Sequence, residues 1–139
     1  MKLQERINQE GFTEIYNPDV DAYIETPVYK AVGVLNKFRI LTSSSGFHSH
    51  FSEKFNGLKP CWCIMCEGLI PKKIRSIAER KGFNVRERFP LNKNRIYSWT
   101  EIYLPNEIAN EKDLEKAKKI FDEFASKIEL SYRHLNRIL

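Results

Sequence analysis

Clustered glycine is what the chain most clearly lacks. Its six glycines stand singly, at positions 11, 33, 46, 57, 68 and 82, so it carries neither a phosphate-binding P-loop nor a dinucleotide fingerprint. No His-Glu-x-x-His run and no Gly-x-Ser-x-Gly elbow occurs, which removes the commonest zinc-protease and serine-hydrolase readings. Cysteine is scarce. Three residues, an odd number confined to the stretch from Cys61 to Cys66, make no disulfide framework. No apolar run approaches the ~20 residues of a membrane helix; the longest, around Cys61 to Met65, has the length of a strand. The first residues, MKLQERINQEGF, are polar and show no apolar signal core. These absences lead us to expect a cytoplasmic protein with no membrane partner.

What is present suits one globular unit. At 139 residues, 42% of them hydrophobic and 29% charged, the chain can bury a core as a single domain spanning 1–139. Lysine and arginine number 23 against 18 acidic residues, and the net charge of +5 leans toward a polyanionic partner such as nucleic acid, a nucleotide or an acidic protein.

Periodicity supplies the elements. Leu3 and Ile7 lie one turn apart in a short helix stopped by Gly11, and 12–16 reads as extended before the Asn17-Pro18-Asp19 turn. Thr26-Pro27 reads as a cap and first helical residue, with Val28, Ala31, Val32 and Leu35 on one face. A strand over 38–42 follows and runs into the hydroxyl-rich turn Thr42 to Gly46. Residues 47–59 read as a loop carrying His48 and His50. The run Cys61 to Cys66 suits a central strand. Pro71 opens a second helix with Ile70, Ile74, Ile77 and Ala78 inward and Gly82 at its end. Phe83, Val85 and Phe89 alternate with Asn84, Arg86 and Arg88 on a strand with one basic face. Asn92 to Asn94 reads as a hairpin tip. On the return strand Ile96, Ile102 and Leu104 share one face, and Tyr97, Trp99 and Tyr103 the other. Asn110 and Asp113 mark the start of a helix whose apolar stripe runs from Leu114 to Ile138. The order predicts an α+β fold: a mainly antiparallel sheet with helices packed on it, a ferredoxin-like relative with a long C-terminal helix.

Three constellations hold chemistry. Thr42, Ser43, Ser44, Ser45 and Gly46 can offer hydroxyls and amides to a small anion or a base edge, and His48 and His50 beyond them are candidate proton carriers. A solvated polar turn is the competing explanation. The cysteines with the histidines supply candidate zinc ligands, but the Cys63–Cys66 spacing lies inside a strand, and alternation sends Cys61 and Cys63 to one face and Cys66 to the other. We therefore expect buried, structural cysteines and no metal. Basic residues gather on the second helix (Lys72, Lys73, Arg75) and on one strand face (Arg86, Arg88), beside Tyr97 and Trp99. That combination suits the phosphates and stacked bases of single-stranded RNA, unless the aromatics are covered by the last helix.

The Thr-Ser-Ser-Ser-Gly turn after a helix and a strand, followed by an apolar strand, a helix and another strand, resembles the tRNA wybutosine-synthesis methyltransferases over about Thr26 to Leu104. Ser43, Ser44, Ser45 and Gly46 match that family's Ser-Ser-Cys-Ser-Gly-Arg motif. Ser44 stands where the family has cysteine, or Ser45 if the register slips, and Phe47 where it has arginine. The resemblance implies a fold that binds S-adenosylmethionine and acts on a modified guanosine in tRNA; no other cofactor is indicated. The function expected is thus an RNA- or nucleotide-binding domain, with or without tRNA-modification chemistry. The alternative is a small interaction protein that forms a homodimer through its last helix and docks on an acidic partner.

Overall fold

The computed structural model describes residues 14–43, 46–52, 57–89, 98–105 and 110–138. The helix expected before Gly11 and the hairpin tip at 92–94 lie outside them. Strands β1 (Glu14–Asn17) and β2 (Ala22–Glu25) form an antiparallel hairpin around the Asn17-Pro18-Asp19 turn. The chain then enters α1 (Thr26–Lys37), whose cap position is Glu25 without a side-chain cap bond, so Thr26 is not the cap; Pro27 sits in the first turn as expected. Val28, Ala31, Val32 and Leu35 are fully buried.

The main sheet has four strands in the order β3–β4–β6–β5: β3 (Gly46–Ser52), β4 (Gly57–Glu67), β5 (Asn84–Arg88) and β6 (Trp99–Tyr103), every neighbour antiparallel. Two expectations are corrected here. Residues 47–52 and 57–59 are no loop but paired parts of strands β3 and β4, His48 pairing with Cys61 and His50 with Lys59. The strand expected over 38–42 shrinks to a short pairing at 41–43, where Thr42 bridges Cys66, because Phe38 and Arg39 close α1.

Helix α2 (Lys72–Arg80) links β4 to β5, and α3 (Glu111–Ile138) follows β6. β4 and β5 both oppose β6, so they run parallel with one strand between them, the split β-α-β of a ferredoxin-like unit. In that unit the edge beside the first strand is filled by a strand from after the second helix. Here β3, from before the unit, fills it, so the relation is one of permuted order.

The three helices of the described residues cover one face. The main core joins Val28, Val32 and Leu35 of α1, Ile74 and Ala78 of α2, and Ala117, Phe121, Phe124 and Ile128 of α3 to Trp62, Ile64 and Ile102 of the sheet. The stripe of α3 from Leu114 to Ile128 is thus spent on the chain's own core, and Asn110 caps it with Oδ1 accepting from the Asp113 amide at 2.9 Å. Cys63, Met65 and Tyr103 form a separate cluster on the opposite face.

Candidate nucleic-acid interface

Register assigns the residues of that second face. Cys63, Tyr103 and Asn84 stand in one row across β4, β6 and β5; Met65, Glu101 and Arg86 in the next; Glu67, Trp99 and Arg88 in the third. Among the described residues no helix packs here. The rows differ in access. Cys63 and Tyr103 are buried, at 0% and 5% exposure, so the Tyr103 ring is not a stacking surface. Trp99, Arg86 and Arg88 are part-exposed.

Glu101 organises the accessible end. It is 8% exposed, its Oε1 accepts from Trp99 Nε1 at 3.2 Å, and its Oε2 lies 3.5 Å from Arg88 Nε. One carboxylate thereby orients an indole and a guanidinium beside each other. Arg88 keeps 42% of its side chain in solvent, with donors available to a phosphate. Arg86 lies over the Tyr103 ring at 5.5 Å, a cation–π contact that holds its head against the sheet. Phe89, expected to face inward, is 61% exposed because β5 ends at Arg88. It adds an aromatic next to Arg88 that alternation alone assigned to the core. Tyr97 lies outside the described residues.

The basic residues of α2 belong to the other layer. Lys72 and Lys73 are exposed at its start. Arg75 is held by Glu79 at 2.8 Å and by Glu87 at 2.7 Å, and its hydrogen bond to Glu79 leads in pushing its pKa above the ordinary value. Glu87 shares a face with Val85 and the helices, so Arg75 and Arg86 are on opposite sides of the sheet. The six described nucleic-acid candidates lie on two layers and do not form one patch.

The Thr42 to Gly46 segment is tied into the fold at its start. Asn36 Nδ2 donates to Val32 O and to Thr42 Oγ1, the latter at 2.9 Å, while Thr42 N donates to Asn36 Oδ1 and Ser43 N to Met65 O. Those two amides are spent internally. Ser44 and Ser45 lie outside the described residues, and Gly46 begins β3. Cys63 and Cys66 are buried thiols outside any disulfide, on opposite faces as alternation requires.

A groove of about 460 Å³ beside α3 is lined by Lys30, Lys81, Lys118, Lys119 and Lys127 among others. Lys81 pairs with Glu123 at 3.1 Å, Lys118 with Asp122 at 2.8 Å, and Lys30 donates to Ser126. Glu115, Asp122 and Glu123 in the same lining offset part of its positive charge, as on an ordinary solvated helix face. Among the described side chains no three His, Cys, Asp or Glu gather as metal ligands. No helix of the described residues is long and apolar enough to cross a membrane. Comparison with protein-family models, curated proteins and solved structures returns no match.

Proposed function

We propose that the protein binds single-stranded RNA at the β5–β6 end of its sheet, with Trp99 and Phe89 stacking bases and Arg86 and Arg88 contacting phosphates. The observation that carries this reading is the packing of the described helices on one face of the sheet. It leaves Trp99, Arg86 and Arg88 together on a face where no helix of the described residues lies. Single-stranded RNA is read by such pairings of aromatic rings with cations, each stacked base contributing about 1–3 kcal/mol. Glu101 is the positioning residue, since it holds both Trp99 and Arg88.

The two tryptophans make the test specific. Trp62 is fully buried in the main core, so quenching by an added oligonucleotide reports on Trp99. A short single-stranded RNA is expected to quench the fluorescence of the parent in a saturable way, and Trp99→Phe is expected to abolish the signal while the melting temperature holds. No quenching at low ionic strength excludes the site.

A further inference from the structure

The third row of the helix-free face carries a second carboxylate. Glu67 ends β4 directly across from Trp99, and Arg88 stands on the other side of Trp99 in the same row. Alternation along β4 puts Glu67 on the face of Cys63 and Met65, opposite the buried Cys66. Its backbone is fixed on both sides. The Glu67 amide donates to Leu41 O at 2.8 Å, the Gly68 amide to Ser98 O at 2.9 Å, and Thr100 Oγ1 to Gly68 O at 2.8 Å. The side chain is exposed, and among the described residues its carboxylate enters no hydrogen bond or ion pair. Glu101 is the contrast, nearly buried with its oxygens engaged by Trp99 and Arg88. Resting on the RNA reading, we infer that Glu67 sets base specificity at that site: on Trp99 it favours bases bearing an exocyclic amino group and disfavours uracil.

The row reads carboxylate, indole, guanidinium, and a nucleotide has a matching order of amino edge, ring and phosphate. Phosphates held by Arg88 lie over β5, and Glu67 repels them from β4, so the base edge turns toward Glu67. Directly opposed strand positions stand roughly 4.5–5.5 Å apart at Cβ, which brings the edge of a base stacked on Trp99 within reach of a glutamate side chain. An ionised carboxylate accepts hydrogen bonds and donates none. Cytosine offers its N4 amino group, a donor that Glu and Asp read in other nucleic-acid complexes, and adenine and guanine offer amino groups as well. Uracil offers a single N–H between two carbonyl oxygens, and both oxygens repel a carboxylate.

Oligocytidylate and oligouridylate of one length are the probes, because they share sugar, phosphates and ring size and differ at the base edge. Each is titrated into the full chain at neutral pH and one low salt concentration, with Trp99 quenching as the readout. The parent is expected to bind oligocytidylate about fivefold more tightly than oligouridylate, the low end for a base-edge contact because Glu67 is exposed. Glu67→Gln is expected to bring that ratio close to one with an unchanged melting temperature, weakening the first ligand and strengthening the second. A carboxylate that only repels phosphates would, on removal, strengthen both ligands alike and keep the ratio. A ratio kept in Glu67→Gln, or equal affinities or a preference for oligouridylate in the parent, overturns the inference and leaves the RNA reading standing. No quenching by either ligand overturns both.

Discussion

Gly33 shows how one missing methyl group sets a contact. It lies on the buried side of α1, and a Cβ built there would stand 2.8 Å from Asn17 Nδ2 and 3.4 Å from Asp19 Oδ2. Asn17 is 2% exposed and cannot swing away without losing its bonds to Tyr29 O and the Asp19 amide. Alanine in a helix interior ordinarily gains about 1 kcal/mol over glycine. Here Gly33→Ala is expected to lose about 1–2 kcal/mol in urea unfolding, because overpacking and a broken buried hydrogen bond outweigh propensity. Cys66 gives a second prediction, in pH. Its thiol is pushed up from 9.0 to about 12 by burial, so the unfolded chain ionises first. Stability from this group is complete below pH 9 and falls as pH rises toward 12, at about 1.4 kcal/mol per pH unit. The stability difference between the parent and Cys66→Ala, measured in reductant, is expected to shrink above pH 9; parallel profiles would refute the buried-thiol account.

The helix ends explain which elements are readable from residues alone. At the end of α2, Gly82 has φ +94, its amide donates to Glu79 O and the Phe83 amide to Ala78 O, a Schellman closure that the glycine announces in the sequence. Helix α1 closes with the same two bonds, Arg39 N to Asn36 O and Ile40 N to Leu35 O, but with arginine at φ 65. Nothing marks that stop, and so a strand is expected from Phe38 where a cap occurs. Arg39→Gly should relieve the left-handed strain and raise stability by about 0.5–1 kcal/mol in thermal or urea unfolding, since Arg39 is exposed. Strand β3 was hidden for another reason. Its run Gly46–Ser52 has no β-branched residue, and its stability comes from pairing with the apolar β4 rather than from its own propensity. The alternation of Phe47 and Phe51 with His48 and His50 was the signal available. Phe89 was misplaced because alternation says nothing of where a strand ends.

At the scale of the molecule, the α+β architecture was legible because the strong elements, α1, β4, α2 and α3, carry long periodic patterns and set the layers. The candidate site was legible in part. Arg86, Arg88 and Trp99 were found as a basic strand face beside aromatics, but which layer Lys72, Lys73 and Arg75 belong to depends on tertiary packing. Glu101 is not legible in the sequence, because its role is a contact with Trp99 and Arg88, and spacing does not display contacts. The layers also turn one diffuse basic surface into two separable ones, and that separation is the most direct test. Single-stranded RNA affinity is measured against salt for the parent, for Arg86→Gln with Arg88→Gln, and for Lys72→Gln with Lys73→Gln, with melting temperatures alongside. Each phosphate contact contributes roughly 0.7 to the logarithmic salt slope of a single strand. The account predicts that the sheet-face pair lowers the slope by about 1.4 and weakens binding, while the α2 pair leaves both near the parent. A slope that falls with Lys72 and Lys73 and stays unchanged without Arg86 and Arg88 would place the RNA on the helices and contradict it.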